Sequence, residues 1–260
     1  MGIVVGTSGW QYRDWRGRFY PADLPQRCWL EHYAEAFATV EVNNAFYRLP
    51  ERATFEQWRT RTPADFCFAV KMSRYVTHIK RLREPQEPVA RFFERARALG
   101  DKLGPVLLQL PPTLRADPAV LTEVLGQFPA GVKVAVEPRH PSWWTAPVRQ
   151  TLERHGAALC WADRRGRPVT PLWRTAGFGY LRLHEGRARP RPRYGRDALR
   201  SWLRRIGAEF AHDEAVYVYF NNDPGGAAVV DAATLAALAR GAGIPVSRAP
   251  EPRAMAAAAA

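Results

Sequence analysis

Short apolar runs recur along the chain, with helix-patterned stretches between them, and most runs end in a polar or charged residue. Residues 3–6 lead to Ser8 and Trp10, and residues 39–42 to Asn43 and Asn44. Residues 66–70 end on Lys71, and residues 105–108 on Gln109. Residues 132–136 end on Glu137, followed by Arg139 and His140. Residues 157–161 lead to Asp163, residues 178–183 hold Arg182 and lead to His184, and residues 215–220 end on Asn221, Asn222 and Asp223. These eight β-type runs, alternating with helical patterns, predict an α/β fold: a (β/α)8 TIM barrel whose strand C-terminal ends build one pocket.

Helical periodicity covers residues 27–37, 52–61, 88–99, 118–127, 141–154, 196–210 and 226–240. Pro118 and Pro141 suit a first helical turn. The sixth unit shows no helix; ADRRGRPVTPLWRTAG reads as irregular chain. Two segments, TSGWQYRDWRGRFYPADLPQ and MSRYVTHIKRLREP, are long enough to be functional loops. Residues 184–195, HEGRARPRPRYG, predict an extended loop, because Pro190 and Pro192 exclude a helix or strand there. The lack of turn-linked strand pairs favours a parallel sheet. Residues 1–245 are assigned to a single barrel and residues 246–260 to an irregular tail that contributes little.

Length and composition agree with this: 260 residues match one such barrel, and 47% hydrophobic residues supply a sizeable core. No apolar stretch is long enough to span a membrane, and MGIVVGTSGW lacks the basic region of a secretory signal. Cys28, Cys67 and Cys160 are too scattered for a disulfide framework or a CxxC site. A cytoplasmic protein without a membrane partner is the expectation. The sequence carries no signal for the oligomeric state.

The formal net charge is +13, and arginine dominates it. Between Arg164 and Arg205, 13 arginines face only Glu185 and Asp197, a net +11. Such a concentrated field attracts polyanions, DNA or RNA among them. An Arg- and Ala-rich composition with a solvated basic face is the plain alternative.

Seven ordered strings carry a family resemblance: GTSGWQYRDWRGRFYP, VEVNNAFYRLP, FCFAVKMSRYVTHIKRL, GPVLLQLPP, VAVEPRHPSWW, YLRLHE and YVYFNNDPGGAAVVDA. Together they resemble the YecE-like family, also known as the domain of unknown function 72 family, from about Gly6 to Ala236. The resemblance implies a TIM-type barrel and no particular activity. Where family members often read His-Gly after the seventh strand, this chain reads His184-Glu185-Gly186.

Glu41, Lys71, Glu137 and His184 are the candidate catalytic residues. Val40 and Val42 share one face of their run, so Glu41 points the other way, and an interior carboxylate is costly unless paired. With His140, His184 and Asp163, the two glutamates suit a general acid/base pair or a metal site. No HxE, HxH or HExxH spacing supports a metal, so no cofactor is expected. The plain reading is a buried ion pair with Arg139, Arg182 or Lys71. Lys71 suits phosphate or carboxylate binding or, if desolvated, a base or Schiff-base role; its plain role is partner to Glu41 or Glu137. His32, His155 and His212 read as surface residues.

The candidate ligand-binding residues are Trp10, Tyr12, Asn43, His78, Gln109, Arg139, His140, Arg182, Asn221, Asn222 and Asp223. Asn221, Asn222 and Asp223 precede Pro224-Gly225-Gly226 at a helix start, where free backbone amides bind anions. Arg187, Arg189, Arg191 and Arg193 join that predicted anion site; the plain reading is helix capping by Asn222 or Asp223. Trp10, Tyr12 and Trp143 are read either as stacking surfaces for bases or sugars or as loop packing, and Phe19, Phe46 and Trp144 as packing. The resulting expectation is a phosphate-bearing ligand, nucleic acid or nucleotide, at the barrel mouth. Hydrolysis, a lyase step and isomerisation are the candidate reactions. Two alternatives stand beside it: a non-catalytic nucleic-acid-binding module, and an enzyme acting on a small sugar or sugar phosphate. A narrow mouth favours a small substrate, and an open groove continuous with residues 187–205 favours a polymer.

Overall fold

Every β-type run becomes a strand. The strands are β1 (Gly2–Thr7), β2 (Thr39–Val42), β3 (Cys67–Lys71), β4 (Leu103–Gln109), β5 (Val134–Glu137), β6 (Ala158–Leu159), β7 (Trp161–Arg164), β8 (Arg167–Pro168), β9 (Gly179–Leu183) and β10 (Ala215–Phe220). The helices are α1 (Trp29–Ala36), α2 (Asn44–Tyr47), α3 (Arg52–Thr60), α4 (Gln86–Ala96), α5 (Pro118–Leu125), α6 (Ala146–Arg154), α7 (Arg196–Glu209) and α8 (Ala227–Gly241). This computed structural model describes residues 2–210 and 214–252. His212 and the tail beyond residue 252 lie outside the described residues.

Hydrogen bonding groups the strands into two five-stranded sheets, in the orders β1-β10-β9-β7-β8 and β2-β3-β4-β5-β6. All pairings are parallel except β7 with β8, so the strand C-terminal ends share one side of the molecule. A single closed ladder, the strict form of the expected barrel, is not formed. Side chains occupy the two seams instead. Between β1 and β2, the Tyr33 hydroxyl accepts from Thr7 N at 3.0 Å and donates to the Thr39 carbonyl at 3.0 Å. Gly6 allows that approach, because a Cβ there would sit 2.3 Å from the Thr39 carbonyl oxygen. Beside β6, the Thr175 hydroxyl accepts from Leu159 N at 2.8 Å and donates to the Ala157 carbonyl at 2.7 Å.

The sixth run splits into β6 and β7, and β7 turns back into β8 through Arg165 and Gly166, both at positive φ. That hairpin corrects the expectation of no turn-linked strand pair. It stands where the sixth helix is missing, with Asp163 Oδ1 accepting from Gly166 N at 3.1 Å. The helix expected from Pro141 starts later: Pro141–Trp143 is a single 3₁₀ turn and α6 opens at Ala146. Asp117 caps α5 by accepting from Ala119 N and Val120 N, with Pro118 in the first turn. Past Pro245 the chain contributes more than expected. Ser247 N donates to the Ile3 carbonyl at 2.8 Å, and Arg248 pairs with Asp65 at 2.8 Å.

Alternate residues of the strands meet between the sheets. Bulky Phe178, Tyr180, Tyr217 and Tyr219 of one sheet pack against small Ala69, Ala135 and Ala158 of the other. This large-against-small complementarity fills the interior without strain. The same alternation carries polar side chains to the strand ends: Glu41 on β2, Lys71 on β3, Gln109 on β4, Glu137 on β5 and Arg182 on β9, all buried. Outside, a much larger apolar cluster joins the sheets to the helices.

Replacing Gly6 by Ala should strain the β1–β2 seam and cost about 1–3 kcal/mol, read as a Tm fall of about 2–4 °C per kcal/mol. Gly2→Ala, where a Cβ meets nothing within 4 Å, should melt with the parent. Equal melting of both variants would remove the seam from the account.

Candidate functional site

At the strand C-terminal ends one guanidinium joins two carboxylates from different strands. Arg182 Nη2 donates to Glu41 Oε1 at 2.8 Å and Nε to Glu41 Oε2 at 3.0 Å. Its Nη1 donates to Glu137 Oε2 at 2.7 Å. Arg182 is 2% exposed, Glu41 0% and Glu137 1%, so all three charges are removed from water. The Tyr180 hydroxyl donates to Glu41 Oε2 at 2.7 Å, and Arg139 Nη2 to Glu137 Oε1 at 3.3 Å. His184 Nε2 lies 3.1 Å from Glu137 Oε1, and Asn221 Nδ2 lies 3.0 Å from His184 Nδ1. With Asn221 donating to Nδ1, the neutral ring carries its proton on Nε2 and gives that hydrogen bond to Glu137.

Burial pushes both glutamates up, but Arg182 outweighs it: Glu41 stays below the usual carboxylate range and Glu137 well below. Burial pushes Arg182 down, and the two carboxylates hold it well above its ordinary value. Both carboxylates are therefore anions locked to a cation. Arg182, joined by Arg139 at Glu137, is their partner; Lys71 is not.

Lys71 opens instead into a cavity of about 640 Å³ that Arg139, Arg182, Asn221 and Asp223 also line. Among the described residues its ammonium has no hydrogen-bond or salt-bridge acceptor, and its Nζ stands 4.0 Å from the Phe46 ring centroid. Burial, then the neighbouring Arg182, brings Lys71 down to about 8. His78, edge-on to Phe46 at 4.9 Å, is lowered by burial and by Lys71. Asp223 faces the same cavity with no salt-bridge partner among the described residues, and its Oδ1 is buried without a hydrogen bond. Burial raises it to about 7, and the charge of Glu41 adds to the effect.

Trp10, Tyr12, Asn43, Gln109 and His78 also reach the cavity. Trp10 is buried edge-on against Trp58 at 5.4 Å, and Tyr12 lies on Trp15 at 4.7 Å, so their open faces are limited. Asn43 donates to the Ser8 carbonyl at 3.2 Å, and Gln109 to the Leu110 carbonyl at 2.9 Å. Phe46, read as packing, lines the cavity under Lys71. Glu137 and His184 line a neighbouring cavity, which shares Arg139 and Asn221 with the first. Among the described residues no group of three or more His, Cys, Asp and Glu side chains is arranged to hold a metal.

Several expected contacts are committed elsewhere. His140 Nδ1 accepts from Ser142 N at 3.1 Å, capping its own turn. Asn222 Nδ2 donates to the Pro192 carbonyl at 2.9 Å and to Asp231 Oδ2 at 2.8 Å, tying the 184–195 loop to α8. Trp143 is buried, with Nε1 on the Leu114 carbonyl at 2.8 Å. Neither Asn222 nor Asp223 caps α8, whose N-cap is Gly226. The amide of Gly225, just ahead of that helix, is taken by Asp14 Oδ2 at 2.6 Å, so the chain's own carboxylate occupies the expected anion position. Of the loop arginines, Arg193 pairs with buried Asp231 at 3.2 Å, Arg189 with Glu185 at 3.0 Å, and Arg187 donates to the Arg165 carbonyl at 2.8 Å. Arg193 is thus a structural partner of a buried carboxylate.

Sequence reasoning missed Tyr180, Gln11 and Asn44. Tyr180 stands two residues before Arg182 on the same strand, and that alternation was the available signal. Asn44, at the start of α2, donates to Gln11 at 2.9 Å, a contact that neither sequence position announces.

Glu41→Gln should cost about 3–5 kcal/mol, because it leaves Arg182 short of charge in the interior. Arg52→Ala, which breaks the exposed pair with Glu56 and a hydrogen bond to the Glu94 carbonyl at 3.2 Å, should cost less than about 1 kcal/mol. Similar melting temperatures for the two variants would contradict the buried network. Asp223 behaves oppositely with pH. Its folded value is raised, so the folded state holds a proton the unfolded chain has lost, and stability falls as pH rises from about 4 towards 7. The neutral isostere Asp223→Asn should therefore melt above the parent, with a larger gap at about pH 8 than at about pH 4. A gap independent of pH would remove Asp223 as a strained buried acid.

Comparison with known proteins places the chain. The family model described as "Protein of unknown function DUF72" matches residues 4–255. UPF0759 protein YecE of Escherichia coli (strain K12) is 36% identical over 155 residues, 58% of this chain; the match spans about half, 54%, of that relative. UPF0759 protein YunF of Bacillus subtilis (strain 168) is 26% identical over 257 residues, covering 86% of this chain and 90% of the relative. The crystal structure of a DUF72 family protein from Thermotoga maritima MSB8 superposes with a TM-score of 0.79 at 26% identity, covering 92% of this chain and 100% of that one. A DUF72 family protein from Enterococcus faecalis V583 gives 0.76 at 19% identity, covering 92% of this chain and 95% of that one, a likeness of fold alone. No helix among the described residues is long and apolar enough to cross a membrane. With the family model spanning nearly its whole length, the chain belongs to the DUF72 family.

Proposed function

We propose that this protein binds a small phosphorylated ligand, of nucleotide or sugar-phosphate size, in the cavity at the strand C-terminal ends, and acts on it by proton transfer. Lys71 carries the reading. It is a buried ammonium without an acceptor among the described residues, and it opens into a cavity that Arg139 and Arg182 also line. A buried cation gains most when an incoming anion supplies the missing acceptor. The volume, about 640 Å³, falls within the ~300–1,000 Å³ of small-molecule sites. Asp223, raised to about 7, suits an acid or base working near neutral pH.

This reading takes the two sheets as halves of one (β/α)8 barrel with the site at its mouth. The side-chain-stitched β1–β2 seam and the ion pair from β9 to β2 support that closure. A polymer is less well supported. Arg187 and Arg189 are turned to neighbours on their own face of the loop region, and Arg193 to Asp231, rather than to the cavity wall. The three unpaired cysteines support a reducing, cytoplasmic setting.

Calorimetric titration with ribose 5-phosphate tests the proposal. Lys71→Met should weaken binding about tenfold or more, equivalent to about 1.4 kcal/mol. The triple variant Arg187→Ser, Arg189→Ser, Arg191→Ser should bind as the parent does. The reverse pattern, or binding only to a DNA oligonucleotide with steep salt dependence, would favour a polyanion surface and overturn the small-ligand reading.

A further inference from the structure

The chain has four lysines, Lys71, Lys80, Lys102 and Lys133. Three of them are committed. Lys80 pairs with Glu84. Lys102 Nζ donates to the carbonyls of Arg59 and Thr62, each at 2.6 Å. Lys133 Nζ donates to the Tyr217 hydroxyl at 3.3 Å. Lys71 differs from them in burial, in lacking an acceptor among the described residues, and in facing a cavity. Its nitrogen rests against an aromatic face, and Arg182 and Arg139 line the same cavity.

We propose that Lys71 is an amine nucleophile that forms an imine with the carbonyl carbon of a small phosphorylated aldehyde or ketone. The inference rests on the ligand cavity proposed above and names its substrate class. Desolvation and nearby cations are the two conditions that release a lysine's lone pair. Both act here: burial and then Arg182 lower Lys71, and Arg139 adds to them, while Glu41 and Glu137 oppose. His78 also faces it, and its own lowered value leaves it largely neutral. With Lys71 near 8, about a tenth of it is free amine at neutral pH.

The step balances without an oxidant or reductant. The Nζ lone pair attacks the carbonyl carbon, the C–N bond forms, and the C=O π pair moves to oxygen. Asp223, which lines the same cavity and has no cation partner among the described residues, gives that oxygen a proton and takes one from the nitrogen. A second proton transfer lets the C–O bond break and water leave, while the nitrogen lone pair closes the C=N bond. The product is a protonated imine, a cation that the Phe46 face receives as it receives the ammonium. Arg139 keeps an exposed edge from which to hold the phosphate, since its contact with Glu137 uses Nη2.

The experiment is borohydride trapping. The full chain is incubated with glycolaldehyde phosphate and sodium borohydride, then analysed by intact mass and peptide mapping, with inorganic phosphate binding measured in parallel. The expected result is one reduced adduct per chain on the Lys71 peptide, formed faster as pH rises through about 8. Lys71→Arg keeps the charge but cannot form an imine, so it should give no adduct while melting as a folded protein. Should that variant fail to fold, the position of the adduct in the parent still decides. An adduct shared equally by Lys80, Lys102 and Lys133 would overturn the proposal, as would the same yield from Lys71→Arg. Phosphate binding without an adduct would remove the imine and leave the ligand cavity standing. Neither binding nor adduct would remove both.

Discussion

Two carboxylates and one guanidinium, all buried, set the terms for the rest of the site. Glu41 and Glu137 lie on strands of one sheet and Arg182 on a strand of the other, so the bridge is also a clamp between sheets. Taking three charges out of water costs several kcal/mol for each, and only close, well-directed hydrogen bonds repay it. The fork of Arg182 meets that demand by giving Nε and Nη2 to one carboxylate and Nη1 to the other. The large residues below it, Tyr180 and Tyr219, and the small residues opposite, Ala69 and Ala135, fix how deep it sits. Strand alternation then decides which side chains join it at the rim.

That bridge explains why the cavity is electropositive. Because Arg182 satisfies both glutamates, Lys71 is left without an anionic partner among the described residues, and Arg139 shares Glu137 from the half-exposed side. Asp223, a carboxyl that lines the cavity, is held towards its neutral form by burial and by the charge of Glu41. A cavity with cations to spare and a weak acid beside them is prepared for an anionic ligand that needs a proton moved. The basic surface elsewhere is of a different kind. Arg164, Arg165 and Arg189 surround Glu185, and Arg193 serves Asp231 of α8, so these four arginines are paired within or next to their own loop region.

Much of this was legible in the sequence. Most β-type runs became strands that end at or within a residue or two of the polar position, because parallel strands carry their chemistry at one end. The alternation Val40-Glu41-Val42 was enough to point Glu41 inward, and the absence of a helix after the sixth run was visible in its Gly and Pro content. What could not be read was pairing. Lys71 and Arg182 were equal candidates for the glutamates, since strand alternation gives a residue's face but not its distance to a partner far along the chain. The split of the sheet was equally hidden: Gly6, Thr39 and Thr175 look ordinary in the sequence, and their role appears only when side chains replace a ladder at the seams. The pairing of the Arg-rich loop was hidden for a physical reason. Its own acidic partners, Glu185 and Asp231, lie near it in space, and only Glu185 is near it in sequence.

Where an oxyanion sits decides whether Lys71, which has no acceptor among the described residues, marks an anion subsite. A crystal of the protein soaked in tungstate, whose anomalous signal locates it unambiguously, should show the anion within hydrogen-bond reach of Lys71 Nζ, about 2.7–3.2 Å, with Arg139 beside it. Tungstate only among Arg187, Arg189 and Arg191, with Lys71 turned onto Glu41 or Glu137, would contradict the account.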